Sequence, residues 1–302
     1  MDVFDVSLRL FAAWLNDREG REAGPHEQAG DLYRVPSPAG DLAVMVEPLF
    51  ETGGDEWRGK KASVEEQLGA SLENGSYALW VPPGADLPLD EPGRSEFIFR
   101  VKMAAARLQA GKRVDLKVPV TLGVRKQDDE GSYVSALGGL QPVWSWFTGQ
   151  VSGVYTVDAR SLTRLPEDKA EREQIVAAIT ESIAGMKKDD RLEVAAEDSW
   201  TLQRLAGAAG FAIVAQPSAA PGPEHEVRKR VRRLLATAAE KLTGVEGQKA
   251  LVLPALYLYA AEENVSTAVR GFDPALYAAL DYIVLVTDGA VKPIIAPPAP
   301  AR

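Results

Sequence analysis

Hydrophobic positions along the chain change period several times, and each change marks an element. Over 3–16 (VFDVSLRLFAAWLN), Val3, Val6, Leu10, Phe11 and Trp14 recur three to four residues apart, the spacing of one helical face. Residues 17–30 are polar and contain Gly20, Gly24, Pro25 and Gly30, which reads as a loop. Leu32–Val35 and Leu42–Leu49 read as two strands joined by PSPAGD, the second apolar almost throughout, as in a strand covered on both faces. After the loop ETGGDEWRG, the spacing of Val64, Leu68 and Leu72 predicts a helix over 60–72. Tyr77–Val81 reads as a strand stopped by Pro82 and Pro83, and Phe97–Leu108 as a helix.

The pattern then alternates strictly. Val114, Leu116, Val118, Val120, Leu122 and Val124 predict a long strand with one solvated face. KQDDEGS reads as a hairpin turn before a strand at 133–137, PVWSWF as a strand with Trp144 and Trp146 on one face, and VSGVYTV as another strand. Residues 113–158 are therefore expected to form a β-meander. From 166 onward whole elements alternate: helix 167–186, strand 192–196, helix 201–209, strand 211–216, helix 227–242, strand 250–260 bent at Pro254, short helix 274–280, and buried strand 282–287. The tail APPAPAR is expected to be disordered from 296.

The fold class expected is α/β. A mixed N-terminal sheet with an antiparallel meander (domain 1–165) precedes a mostly parallel C-terminal lobe (166–295). The chain has 302 residues, 46% hydrophobic and 25% charged, the balance of a soluble globular protein of one large or two ordinary domains. No basic segment opens the N-terminus and no apolar run approaches the ~20 residues that span a bilayer. A cytoplasmic protein without membrane contact is the expectation, and the Ala, Gly, Arg and Pro usage matches a GC-rich bacterial genome.

Composition removes much chemistry. There are no cysteines, which excludes disulfides, thiolate metal sites and cysteine nucleophiles. Only His26 and His225 exist, both in polar Gly/Pro-rich or charged surroundings, where loop histidines are the expectation. No Gly-x-Gly-x-x-Gly after a strand and no phosphate-binding Gly-Lys-Ser/Thr loop occurs, so no cofactor is expected unless a metal serves. Gly207 and Gly210 read as a helix C-cap.

One acidic pattern invites a metal. Asp31 precedes the first short strand, Asp41 precedes the second, and Glu47 lies at the second strand's far end. Carboxylates so delivered can hold Mg²⁺, and a nearby lysine can steady a phosphate. The order helix, strand with Asp, strand with Glu, helix, strand over residues 3–82, about a quarter of the chain, resembles the core of the restriction-endonuclease-like (PD-(D/E)XK) superfamily. The resemblance implies Asp31 and Glu47 as metal ligands. The family lysine falls on Leu49, so Lys60 or Lys61 would have to supply it from the next helix. The family sheet has three strands before that helix, where the pattern shows two. An active Mg²⁺ nuclease, a degenerate nuclease-like domain kept for binding, and unrelated strand-end carboxylates all remain open.

Two further segments are candidate binding surfaces. GGLQPVWSWFTGQVSGVY gathers Trp144, Trp146, Phe147 and Tyr155, either a stacking platform for a base or peptide or a core layer. The helix at 227–242 carries Arg228, Lys229, Arg230, Arg232 and Arg233, suited to phosphate, nucleic acid or an acidic partner, or simply a solvated face paired with Glu224 and Glu226. The net charge of −9 argues against a surface coated in nucleic acid. The reading is a non-catalytic interaction protein, with a protein partner or self-association. The nuclease and an oligomeric structural protein joined at the Trp segment or a meander edge are the alternatives.

Overall fold

The computed structural model describes residues 1–20, 23–37, 40–72, 75–140, 143–166, 168–220, 227–256 and 265–298. The chain forms two compact units: Met1–Pro83, Leu89–Val114 and Thr201–Arg302, and Gly84–Pro88 with Asp115–Trp200. His225, Glu224 and Glu226, the end of the strand expected at 250–260, and the tail from 299 lie outside the described residues.

The first unit is built on a mixed sheet. Its strands are β1 (Glu27–Ala29), β2 (Leu32–Val35), β3 (Leu42–Val46), β10 (Gln248–Pro254), β11 (Tyr282–Thr287) and β12 (Ala290–Ile295), adjacent in that order. β3, β10 and β11 run parallel, while β1/β2, β2/β3 and β11/β12 are antiparallel. The parallel strands are the most apolar, because helices and a second layer cover both of their faces. On one face Met45, Leu251, Leu253, Ile283 and Leu285 meet Val231, Leu234, Leu235 and Ala238 of α6 (Val227–Leu242). On the other, Val44, Val46, Val252 and Val284 meet Leu8, Phe11 and Leu15 of α1 (Val3–Glu19), together with Ala78 and Trp80 of β4 (Ser76–Trp80) and Val214 of β9 (Gly210–Val214). The α1 helix starts where Asp2 accepts from the Asp5 amide at 2.9 Å and stops at Gly20, whose φ of 62° suits glycine. β4 runs parallel to β9 and antiparallel to residues 201–205 of β8 (Arg191–Leu205), and α2 (Asp55–Ser71) and α3 (Gly93–Ala105) complete the unit.

In the second unit the strand order is β6 (Ser132–Gly138), β7 (Gly153–Ala159), β5 (Arg113–Asp128), β8. β7 is antiparallel to β5 but parallel to β6. One face is buried: Leu122, Val124, Val134, Ala136, Tyr155 and Val157 pack on Phe147 of α4 (Trp144–Thr148) and on Val176, Ile179 and Ile183 of α5 (Lys169–Ile183). The other face is open, with Thr121, Arg125, Gln127, Tyr133 and Leu137 exposed.

The α/β class is as expected, and the differences have physical causes. The boundary at 165/166 does not divide the contacts. β10 pairs with β3, and β8 and β9 pair with β4, so C-terminal strands complete N-terminal sheets; the parallel pairs β3/β10 and β4/β9 join the two halves of the sequence, while β10/β11 lies within the second. The expected meander is interrupted, since β7 inserts between β5 and β6, and the tryptophan strand is the α4 crossover that a parallel β6/β7 pair requires. The helix expected at 201–209 is the end of β8. Trp200, Thr201, Leu202 and Gln203 are all buried there, and strand pairing with β4 overrides the i, i+3 spacing of Leu202 and Leu205. The polar segment 17–30, read as a loop, contains the short strand β1, which pairs with β2, and β4 pairs with β8 and β9 rather than with β3. Beyond β12, Ala296 packs on the core and the Pro297 carbonyl accepts from Arg18, so 296–298 is docked.

Candidate functional site

Two carboxylates of the acidic constellation, Asp31 and Asp41, serve separate ion pairs. Asp31 lies not on a strand but in the two-residue turn between β1 and β2, where Gly30 takes a φ of 66°, and its carboxylate meets Lys241 of α6 at 3.3 Å. Asp41 is bound by Arg34 across the β2–β3 connection. Glu47 follows β3, its amide bonded to the Val252 carbonyl at 3.0 Å. Among the described residues no group of three or more His, Asp or Glu side chains is placed to hold a metal ion. Lys60 bonds Asp90 at 3.0 Å and reaches Glu56. His26 is half-buried, 3.1 Å from Asp5 and edge-on to Tyr33.

Lys61 has a different use. β9 is an edge strand, and the outward N–H of Ile213 donates to Glu65 at 2.7 Å while its carbonyl accepts from Lys61 at 3.2 Å. Lys61 and Glu65, one turn apart on α2, also pair with each other at 2.6 Å. The expected helix therefore packs on β9 rather than on β3, and its lysine seals a sheet edge.

The basic helix is half structural. Arg230 bonds the carbonyls of Pro48 and Phe50 and pairs with Glu51, holding the loop after β3. Arg228 lies over the Phe272 ring and donates to Gly271. Lys229 is also engaged. Arg232 and Arg233 are exposed, with no hydrogen bond or ion pair among the described residues.

The aromatic segment does not make a platform. Two residues apart on a helix, Trp144 and Trp146 point in different directions. Trp146 is half-buried against the core, and Tyr155 is 2% exposed beneath Lys126, whose ammonium stands 5.5 Å from the ring centroid. Trp144 is 40% exposed and turns its ring edge to Tyr133, 6.0 Å between centroids.

That contact leads to the feature most unlike the rest of the surface. β6 is an edge strand, with β7 on one side only. Tyr133 and Leu137 are each about half exposed, and with Trp144 they make an apolar rim along the edge. Among the described residues, no side chain or second strand bonds the outer backbone of β6. The other edges are guarded in ways that block strand addition. β1 is three exposed residues long, β12 contains Lys292 and Pro293, and β9 is sealed by Lys61 and Glu65. In the second unit β8 carries Arg191, Glu193 and Glu197, and its Ser199 amide is taken by Arg164. No protein-family model, curated protein or solved structure matches this chain. The alternation around 134–136 was readable in the sequence, but that β6 is an edge was not, because this depends on β7 inserting next to β5.

Two buried carboxylates are structural by their contacts. Asp198 accepts from the amides of Thr163 and Arg164, the Thr163 hydroxyl and the Trp200 indole at 2.6–3.1 Å. Burial raises its pKa above the ordinary 3.8, although these four bonds oppose the rise. Asp288, with φ 48°, accepts from Thr201 and, through its carbonyl, from Arg113, which anchors the β11–β12 turn.

Proposed function

We propose that this is a non-catalytic interaction protein whose binding element is the β6 edge of the second unit. The observation that carries the reading is one strand whose outer backbone is unbonded among the described residues, with an apolar rim of Tyr133, Leu137 and Trp144, while the other sheet edges, β1, β12 and β9, each carry a guard. An extended segment added there gains main-chain hydrogen bonds from the edge and side-chain contacts from the rim. Support also comes from the nuclease-like residues, since Asp31, Asp41, Lys60 and Lys61 each serve an ion pair or an edge cap of their own.

The test is selection of a displayed library of random heptapeptides on the wild-type protein, counter-selected on Leu137→Lys, alongside sedimentation of both proteins. Peptides kept by wild type and lost by the variant, or self-association lost by the variant, is the expected result. A monomeric wild type that retains no peptide, or only peptides that Leu137→Lys retains equally, would overturn the reading.

A further inference from the structure

Resting on the reading of β6 as the binding edge, we infer that its occupant is a second copy of this chain, paired antiparallel about a two-fold axis through Ser135. The argument is the strand's own symmetry. In an antiparallel pair directly opposite residues share a face. Centred on Ser135, Tyr133 lies opposite the partner's Leu137, and Val134 opposite the partner's Ala136. Tyr133 and Leu137 are the two exposed apolar residues of the strand, and Val134 and Ala136 are its two core residues, so both faces match themselves. Such self-complementarity is what an isologous contact requires.

Charge agrees with this register. β6 (SYVSALG) has no charged residue, so no like charges meet across the pair. Beyond its start the turn carries Asp128, Asp129 and Glu130, all exposed. Beyond its end, Gly138 lies beside Ala159 in the β6/β7 ladder, and Arg160 follows, paired with Asp158 of its own chain and with its side chain 77% exposed. Antiparallel pairing brings the acidic turn of each copy toward the partner's Arg160. A parallel pairing would bring acidic turn to acidic turn. The product continues the sheet of each copy into that of its partner and leaves neither β6 edge free.

The chain has no cysteine, which makes the register directly testable. Opposed residues in an antiparallel pair have Cα atoms about 4.5–5.5 Å apart, within disulfide range. Ser135→Cys is expected to give a disulfide-linked dimer under mild oxidation. Ser182→Cys, exposed on α5, serves as the collision control and is expected to stay monomeric. Wild type is expected to show dimer growing with concentration by sedimentation, and Leu137→Lys to remove both the dimer and the Ser135→Cys crosslink while keeping its circular dichroism spectrum. Equal crosslinking at 135 and 182, or a wild type monomeric at every concentration with no crosslink at 135, would overturn the self-pairing. If the protein is monomeric but heptapeptides still bind and Leu137→Lys loses them, self-pairing alone is wrong and the edge reading stands. If neither dimer nor peptide binding occurs, both fall.

Discussion

Asp198 and Thr287 show how single buried polar atoms set local energetics. Both Asp198 oxygens are used: Oδ1 by two amides, Oδ2 by the Thr163 hydroxyl and the Trp200 indole. In Asp198→Asn the amide nitrogen must face one of these pairs, so either the two backbone N–H groups or the indole N–H, donors only, lose their acceptor. The expected loss is about 1–3 kcal/mol, measured by urea denaturation. The pH dependence has a definite sign. A carboxyl whose folded pKa is raised is protonated in both states below its ordinary value of 3.8; above it the unfolded chain ionises first, and stability falls as pH rises through the higher folded value. The advantage of wild type over Asp198→Asn should therefore be greatest in acid and shrink with rising pH. An advantage that grows with pH would contradict this. Thr287 is fully buried in β11, and its hydroxyl has no hydrogen-bond partner among the described residues. Thr287→Val removes that burden in nearly the same shape and should raise stability by about 1 kcal/mol.

Elements are positioned here by what their edges and faces need. The α2–β9 contact replaces a missing neighbour strand with two side chains. Glu65→Ala leaves the Ile213 N–H without its acceptor, so a loss of about 1–3 kcal/mol is expected, with faster hydrogen exchange at the Ile213 amide than in wild type. Unchanged exchange there would show that the seal is not formed in solution. The α4 crossover is short, and Phe147, fully buried, is its main anchor. Phe147→Ala should cost about 3–5 kcal/mol, whereas Trp144→Ala, on the exposed side of the same helix, should leave thermal unfolding nearly unchanged.

For the molecule, the decisive property is an asymmetry of guarding among the described residues: the sheet edges β1, β12 and β9 are blocked by brevity, by lysine and proline, and by a side-chain seal, and β6 is left open beside an apolar rim. Tyr133→Lys combined with Leu137→Lys should shift the unfolding midpoint little, because both positions are half exposed, yet should delay the onset of aggregation on heating. Light scattering recorded during a thermal ramp measures both. No helix among the described residues is long and apolar enough to cross a membrane.

Local pattern by itself determined most elements. The stripe of 227–242 gave α6 its bounds, the alternation from Val114 gave β5, and the apolar run 282–287 gave β11, because each period is fixed by backbone geometry within the segment. Pattern also determined what chemistry is missing, since absent cysteine and scarce histidine need no structure to be seen. What tertiary structure decided was pairing. Whether 201–205 is helix or strand depends on β4, more than a hundred residues earlier. Whether Lys61 faces a phosphate or a strand edge depends on where α2 packs. Whether Tyr133 and Leu137 are covered depends on β7 taking the place beside β5. Strand neighbours are chosen by contacts between distant segments, and no window of the sequence contains both partners.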